Sequence, residues 1–185
     1  MELLKFEVIQ IEGEKLMINT TIETERLFMR EFQKTDLDAF FEMIRNKEVY
    51  QWLGNREKKN REEAEWILDY FIKESSKKGT MILAVISKEN NQLIGQAGVK
   101  YLKEVDGMEY FYALNQNQWN KGFATEMGRG LIDCYTRAFP EEDLAAVVYP
   151  ENHRSKKVLM KLGFQWMGMR EAFGSCLDYY ELRSG

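Results

Sequence analysis

The sequence is poor in the residues that build metal centres, disulfide frameworks and histidine-dependent active sites. It contains one histidine, His153, and two cysteines, Cys134 and Cys176. The cysteines are far apart and neither belongs to a CxxC pair, so a zinc site or a disulfide framework is not expected. With one histidine the chain cannot build a metal site from several histidines, and we interpret His153 as an exposed residue at a helix start. We therefore expect no bound metal.

Long apolar stretches and an excess of positive charge are also absent. No segment approaches the roughly 20 apolar residues that a membrane span needs. Residues 1–7 interleave acidic with apolar residues instead of forming a basic region and an apolar run, so no signal peptide is expected. The 26 Lys+Arg against 30 Asp+Glu give a net charge of −4, which disfavours binding to a phosphate backbone. These features predict a cytoplasmic protein with neither a membrane nor a nucleic acid as partner.

What is present is the composition of one ordinary globular domain. Of the 185 residues, 44% are apolar and 13% aromatic, and two are prolines. A chain of this length can bury roughly 70% of the surface that its unfolded form exposes, so it needs no disulfide or metal for stability. Alternating apolar positions around Glu12-Gly13-Glu14 favour a hairpin. We therefore assign residues 1–19 to an N-terminal extension that could form a hairpin, and residues 20–185 to the domain.

Apolar periodicity predicts that this domain mixes helices and strands. Asn60 followed by Glu63 predicts a capped helix. Turn-rich segments after residues 86 and 101 indicate an antiparallel meander of three strands. The predicted strands are 26–30, 81–86, 93–101, 108–114, 144–149, 164–169 and 177–182. The predicted helices are 36–45, 60–78, 122–138 and 152–162.

The first segment with chemical meaning lies between the strand that ends at Leu114 and the helix that begins near Gly122. Small residues at a helix mouth, here Gly122 and Ala124, allow free backbone N–H groups and the positive end of the helix dipole to meet a ligand at one point. Glycine also lets a ligand approach the backbone closely. This arrangement suits a pyrophosphate, although a glycine at an ordinary helix entrance has the same sequence pattern.

A second segment runs from Tyr149 to Phe164. Asn152 is a suitable helix cap, and Gly163 is a suitable C-terminal stop. A purely structural helix does not require the polar Ser155, which lies one turn from both Asn152 and Leu159 and therefore shares their face. The alternatives are a small residue tolerated in a helix for Ser155, and capping alone for Asn152.

Together these segments resemble the GNAT N-acetyltransferases. Residues 119–126 resemble the family's loop for the pyrophosphate of acetyl-CoA, Gln/Arg-x-x-Gly-x-Gly/Ala, and residues 152–164 resemble its Asn-x-x-Ala/Ser helix, which ends in Gly-Phe. Residues 24–30 and 93–98 are similar to strands of the Rim-type branch, the ribosomal-protein N-terminal acetyltransferases. The resemblance covers about residues 20–183. It implies a mixed α/β (α+β) GNAT fold, with a central mixed, mostly antiparallel sheet flanked by helices and a strand–loop–helix cofactor site.

The resemblance implies an enzyme that transfers acetyl from acetyl-CoA to a primary amine by direct attack in a ternary complex. Trp119 stands where the family pattern has Gln or Arg, which leaves pyrophosphate binding to backbone amides. Leu159 stands where many members have a tyrosine that protonates the departing thiolate. By resemblance to Rim-type enzymes without that tyrosine, Ser155 takes this role. The implied cofactor-binding residues are Leu114, Trp119, Lys121, Gly122, Phe123, Ala124, Thr125, Asn152 and Ser155.

An amine must lose a proton before it attacks a thioester, so a base is expected in addition to the acid. Glu109, on the strand that enters the cofactor loop, and Glu171, late in the chain, resemble glutamates of the family. Each could equally be a solvated surface carboxylate. Tyr50 and Trp52 are expected to shape the acceptor groove. The catalytic candidates are therefore Ser155, Glu109 and Glu171.

The sequence leaves the acceptor open. The Rim-type resemblance favours the α-amine of a protein or peptide, whose reference pKa of about 8 makes it easier to deprotonate than a lysine side chain at about 10.4. The alternatives are a small amine, such as a polyamine or an amino-sugar antibiotic, and a non-catalytic domain that binds acyl-CoA. Arg154, Lys156 and Lys157 form either a solvated helix face or a site for the coenzyme's 3′-phosphate. We expect a monomer or a homodimer.

Overall fold

The structure is a computed structural model that describes residues 21–75 and 77–184. Within these ranges, eight strands form one sheet and five α-helices cover it. The strands are β1 (Ile22–Glu23), β2 (Leu27–Glu31), β3 (Met81–Ser87), β4 (Leu93–Leu102), β5 (Gly107–Leu114), β6 (Leu144–Val148), β7 (Gln165–Ala172) and β8 (Ser175–Leu182). The helices are α1 (Leu37–Ile44), α2 (Lys47–Tyr50), α3 (Arg61–Glu74), α4 (Phe123–Ala138) and α5 (His153–Lys161). The hairpin predicted within residues 1–19 lies outside the described residues.

The sheet is mixed and mostly antiparallel, which confirms the predicted fold class, and its strand order is β1-β2-β3-β4-β5-β6-β8-β7. β3, β4 and β5 form the expected meander. β5 and β6 are parallel, and α4 provides the long crossover that a parallel pair needs. β8 lies against β6, so that β7 forms the edge of the sheet.

β5 and β6 pair only at their beginnings. The described pairs between them are Met108 with Leu144 and Glu109 with Ala145. Beyond Glu109, β5 continues to pair with β4 as far as Leu114, while β6 pairs with β8. The two strands therefore diverge, and the sheet consists of two halves joined at one short contact.

Each face of the sheet carries its own core, because successive side chains of a strand point to opposite faces. One core lies beneath α4 and α5 and includes Met29, Val85, Tyr110, Met127 and Leu131. The other lies beneath α1 and α3 and includes Phe40, Leu68, Phe71, Ile82 and Ala113. β3 is buried along its whole length, which explains its continuous apolar sequence.

Helix α3 begins as predicted and ends earlier. The Asn60 side chain accepts a hydrogen bond from the Glu63 amide at 2.9 Å, and the Glu63 carboxylate accepts one from the Asn60 amide at 2.7 Å. The prediction extends to residue 78, but the helix stops at Glu74. The Ser75 hydroxyl donates to the carbonyl of Ile82 at 3.1 Å, so the chain has already turned toward β3.

Two short elements, β1 and α2, are not predicted from the sequence. They contain two and four residues, which is too few for a period of apolar residues to be visible. Local hydrogen bonds define α2 instead, since the Asn46 side chain accepts from the Glu48 amide at 3.0 Å. Among the described helices, none combines the length and the apolar character that crossing a membrane requires.

Candidate functional site

The divergence of β5 and β6 opens a cavity of about 780 Å³. Both faces of the sheet contribute to its wall. Phe123 and Ser155 belong to the elements on one face, while Ile67 and Phe111 belong to the core on the other. The cavity therefore passes through the gap between the strands and connects the start of α4 with the helices α1 and α3.

The start of α4 supplies backbone donors to this cavity. Gly122 precedes the 16-residue helix with φ +85°, a left-handed conformation that glycine adopts without steric penalty. Its carbonyl accepts from the amides of Thr125 at 3.1 Å and Glu126 at 3.0 Å. Among the hydrogen bonds of the described residues, the amides of Gly122, Phe123 and Ala124 have no acceptor. Three free N–H groups and the helix dipole thus favour an anion here. Thr125, also predicted to bind the cofactor, lines the cavity, but its amide is already bonded to Gly122.

The turn between β1 and β2 holds this loop in place. The Glu126 carboxylate accepts hydrogen bonds from the Thr24 hydroxyl at 2.6 Å, the Arg26 amide at 2.8 Å and Arg26 Nε at 2.7 Å. The Arg26 guanidinium also donates to the Lys121 carbonyl at 3.0 Å and lies 4.4 Å from the centre of the Phe123 ring. Partial burial alone would raise the pKa of Glu126, but these hydrogen bonds outweigh it and hold the pKa below its ordinary value.

Trp119 closes the loop against the end of β5. Its indole N–H donates to the Leu114 carbonyl at 2.9 Å, and the Arg154 guanidinium lies 5.2 Å from its ring centre. Trp119 and Leu114, which are predicted to bind the cofactor, both line the cavity. The Lys121 side chain instead bonds to Gln118 at 3.2 Å, and Lys121 is not among the lining residues.

Helix α5 brings Asn152 and Ser155 to the wall of the cavity. The Asn152 side-chain oxygen accepts from the Ser155 amide at 3.2 Å, which is the predicted cap. The Ser155 hydroxyl oxygen lies 3.2 Å from the hydroxyl oxygen of Tyr112 on β5. Leu159 is buried and borders the cavity, but its hydrocarbon side chain has no proton to donate.

The basic residues of α5 divide between the cavity and the sheet. Arg154, Lys157 and Lys161 line the cavity, and their spacing of three and four residues puts them on one helix face. Lys156 instead forms an ion pair with Asp178 of β8. Lys161 therefore replaces Lys156 in the group of basic residues considered for phosphate binding.

Glu109 lies where β5 and β6 separate. Its side chain is buried, with the residue 5% exposed, and it lines the cavity. Lys100, its direct partner on β4, approaches the carboxylate at 3.7 Å. Burial raises the pKa of Glu109 to about 7, against the opposing attraction of Lys100. Such a carboxyl group can accept a proton near neutral pH.

The loop after α2 closes the other end of the cavity. Tyr50 and Trp52, the residues expected to shape an acceptor groove, both line it. The Tyr149 hydroxyl donates to the Gly54 carbonyl at 2.5 Å, and the Arg56 guanidinium lies 3.4 Å from the centre of the Tyr149 ring. These contacts fasten the loop to the end of β6.

Glu171 is not brought to this site. It is exposed on the edge strand β7 and does not line the cavity.

Sequence reasoning missed Tyr112 and Lys100, which do line the cavity. The two-residue period of β5 is the signal that could have found Tyr112, because it places Tyr112 on the face opposite Glu109. Within residues 21–75 and 77–184, no three His, Cys, Asp or Glu side chains are grouped so that they could hold a metal ion.

One protein family matches most of the chain. Residues 26–165 match the acetyltransferase (GNAT) domain family. The chain belongs to the GNAT acetyltransferases. A relative of similar sequence is the uncharacterized N-acetyltransferase p20 of Bacillus licheniformis, which is 29% identical over 165 residues, or 86% of this chain and 93% of p20.

Solved GNAT structures with CoA share this fold. RimL, described as a ribosomal L7/L12 α-N-protein acetyltransferase, was solved with CoA; its TM-score is 0.74 at 15% identity, over 86% of this chain and 95% of RimL. AAC(6′)-Ib was solved with ribostamycin and CoA; its TM-score is 0.71 at 17% identity, over 86% of this chain and 94% of that protein. At sequence identities this low, the similarity to these two structures shows a shared fold and nothing more.

The residues of the cavity fit acetyl-CoA, the acetyl donor of GNAT enzymes. The free amides of Gly122 to Ala124 suit a pyrophosphate. Arg154, Lys157 and Lys161 supply positive charge along the cavity wall, and Asn152 and Ser155 offer polar groups to the same cavity.

Replacement of Gly122 by Val is expected to raise the dissociation constant of acetyl-CoA tenfold or more, a loss of about 1.4 kcal/mol. A β-branched residue is strained at φ +85°, and its Cβ would lie 3.4 Å from the Arg26 guanidinium. Calorimetric titration measures the effect. Gly79→Val is the matched control, because Gly79 has φ +80° outside the cavity. Unchanged affinity in a folded Gly122→Val protein would place the pyrophosphate elsewhere.

Replacement of Glu126 by Gln is expected to lower the free energy of unfolding by about 1 kcal/mol at pH 7, allowing for solvent screening of the part-exposed Arg26. Because the pKa of Glu126 is lowered in the folded protein, its stabilising effect is present above its ordinary pKa and is lost as the pH falls below about 4. Urea unfolding at pH 7 and at a pH below about 4 measures the loss of stability in each condition. The exposed Glu141→Gln is the control. A difference that persists in acid would contradict the role of the charge.

Proposed function

We propose that this GNAT enzyme acetylates the α-amine at the N-terminus of a polypeptide, by direct attack within a ternary complex. The observation that carries the proposal is the cavity between β5 and β6, which joins the free amides at the start of α4 to the buried carboxyl group of Glu109. The two reactants can approach from opposite faces of the sheet and meet in the gap. Both can therefore be bound at the same time.

The wall formed by α4 and α5 would hold the donor. When bound, acetyl-CoA supplies an acetyl group activated as a thioester. The amides of Gly122, Phe123 and Ala124 bind the pyrophosphate, and Asn152 orients the pantetheine arm. Ser155 lines the same wall and donates its proton to the departing sulfur.

Glu109 would act as the base. At neutral pH an α-amine is mostly protonated, and only its free lone pair attacks. A carboxyl group with its pKa raised to about 7 by burial is a stronger base than an ordinary glutamate and is still substantially ionised near neutral pH. Glu109 accepts the amine's proton directly or through one water molecule.

Neither cysteine supports an acetyl-enzyme intermediate. Cys134 is buried within α4 and does not line the cavity, and burial raises the pKa of its thiol to about 11. The thiolate is the nucleophilic form, so Cys134 stays unreactive at neutral pH. Cys176 is exposed and lies outside the cavity lining. Direct transfer is therefore the simpler route.

The charges of the cavity favour a peptide over a polycationic small amine. Two of the described lining residues carry carboxylates, Glu57 and Glu109. Each already has a lysine partner, since Lys59 approaches Glu57 at 3.4 Å and Lys100 approaches Glu109 at 3.7 Å. A polyamine or amino sugar has several cationic groups and would need several unpaired carboxylates.

The rest of the acceptor end is largely apolar. Trp52, Leu53, Ile67 and Phe111 line it, and all four are partly exposed. A peptide N-terminus presents one amine followed by amides and side chains, which matches one carboxyl group beside an apolar wall.

The rate of acetylation is expected to rise with pH through about 7, because Glu109 accepts a proton only when it is ionised. Replacing Glu109 by Gln removes this limb of the kcat/KM profile and lowers kcat on the order of 10²-fold. The limb that belongs to the acceptor's own amine, near pH 8, stays. Steady-state rates from pH 5.5 to 9.5 measure both limbs.

Two neighbouring charges provide matched variants for this experiment. Lys100→Met removes a charge that lowers the pKa of Glu109, so the midpoint of the Glu109 limb of the kcat/KM profile moves above pH 7. Glu104→Gln removes a charge that raises the pKa of Glu109, so the midpoint of the same limb moves below pH 7. A Glu109→Gln enzyme with the full pH profile of the wild type would show that another group is the base.

A lysine-free peptide with a free N-terminus is expected to be acetylated on the order of 10²-fold faster at pH 7 than an N-terminally blocked peptide that contains lysine. The reason is the larger unprotonated fraction of an amine with a pKa of about 8 than of one at about 10.4. Parallel assays of released CoA should include spermidine and ribostamycin. Turnover restricted to these small amines would replace the peptide proposal, and CoA binding without turnover of any acceptor would indicate a non-catalytic domain.

A further inference from the structure

Tyr112 of β5 meets Ser155 inside the cavity. The two hydroxyl oxygens lie 3.2 Å apart, with Tyr112 donating. The Tyr112 ring packs on Tyr110 with ring centres 5.9 Å apart, and the Ser155 amide is held by Asn152. Both partners are therefore positioned by the protein before any ligand binds.

The hydroxyls of two other tyrosines, Tyr149 and Tyr179, already have different partners. Tyr149 donates to the Gly54 carbonyl at 2.5 Å, and Tyr179 donates to the Glu181 carboxylate at 2.7 Å. Burial raises the pKa of Tyr112 to about 12, so at neutral pH Tyr112 remains a phenol and a hydrogen-bond donor. It is thus available to Ser155 at the pH at which the enzyme would work.

A serine alone is a poor acid for this reaction. An aliphatic hydroxyl is a weaker acid than a thiol, so Ser155 would become a high-energy alkoxide if it gave its proton to the departing sulfur without help. A donor on its oxygen removes this difficulty, because that oxygen gains one proton as it loses another. The donor also occupies a lone pair of Ser155 and restricts the direction of its own O–H.

We propose that Tyr112 is a positioning residue that orients the Ser155 hydroxyl toward the departing sulfur and replaces the proton that Ser155 gives up. This inference rests on the proposed acetyl transfer. As the C–N bond forms and the C–S bond breaks, the sulfur takes the Ser155 proton and the Ser155 oxygen takes the Tyr112 proton. The Tyr112 oxygen recovers a proton from water, and the proton released by the amine leaves through Glu109. A phenol on β5 thus replenishes the proton that the leaving sulfur takes from Ser155. Leu159 on α5 cannot supply a proton.

The first test needs only CoA and no acceptor. Ionisation of the bound CoA thiol is followed by the ultraviolet absorbance of the thiolate, in the wild type and in Tyr112→Phe. A Ser155 O–H that Tyr112 keeps aimed at the sulfur stabilises the thiolate, so removal of the Tyr112 hydroxyl, which orients it, is expected to raise the pKa of the bound thiol by about one unit, a tenfold change. Tyr101→Phe is the control, because Tyr101 is exposed and bonds to Asp106 outside the cavity. The same thiol pKa in the wild type and Tyr112→Phe would overturn the inference.

The second test compares rates in a double-mutant cycle. Tyr112→Phe is expected to lower kcat about tenfold or more and to leave the dissociation constant of acetyl-CoA within twofold. Ser155→Ala should lower kcat on the order of 10²-fold or more, and the double variant should match Ser155→Ala. Independent, multiplying losses would overturn the link between the two residues. Absence of wild-type turnover would instead refute the proposed function, while the CoA titration would still decide the role of Tyr112.

Discussion

β5 and β6 share hydrogen bonds along only the first part of their length, and the site depends on where that pairing stops. Up to Glu109 and Ala145 the two strands form a parallel ladder; beyond these residues each strand keeps its other neighbour. A sheet that remained paired would have no opening through which two ligands could meet. The same geometry places Glu109 at the junction, where it is buried and yet borders the cavity.

Contacts between distant parts of the chain compensate for the short pairing. The β1–β2 turn holds the start of α4 through Arg26 and Glu126. The indole of Trp119 is bonded to the last residue of β5, and Tyr149, just beyond β6, is bonded to the loop after α2. Each of these bonds anchors one wall of the cavity to a rigid element. The site is therefore largely preorganised, which lowers the entropic cost of ordering its groups when ligands bind.

The two ends of the cavity differ in chemistry. The end formed by α4 and α5 offers free amides and the cations Arg154, Lys157 and Lys161, as a polyanionic cofactor requires. The other end offers apolar side chains around a single buried carboxyl group, Glu109. The low-dielectric surroundings that raise the pKa of Glu109 also strengthen electrostatic interactions with the reacting amine. Burial of this residue therefore contributes to the proposed chemistry.

The sequence by itself determined the features that depend on neighbouring residues. The cap at Asn60, the glycine before α4, the cap at Asn152 and the β3–β5 meander were all predicted, because caps, turns and strand periods are local patterns. Tertiary structure decided the divergence of β5 and β6, the exposure of Glu171 at the sheet edge and the contact between Tyr112 and Ser155, which are 43 residues apart. It also turned Lys156 toward Asp178 and Lys161 toward the cavity. These features depend on how whole elements pack, and the sequence periodicity of one strand or helix contains no information about which distant element will face it.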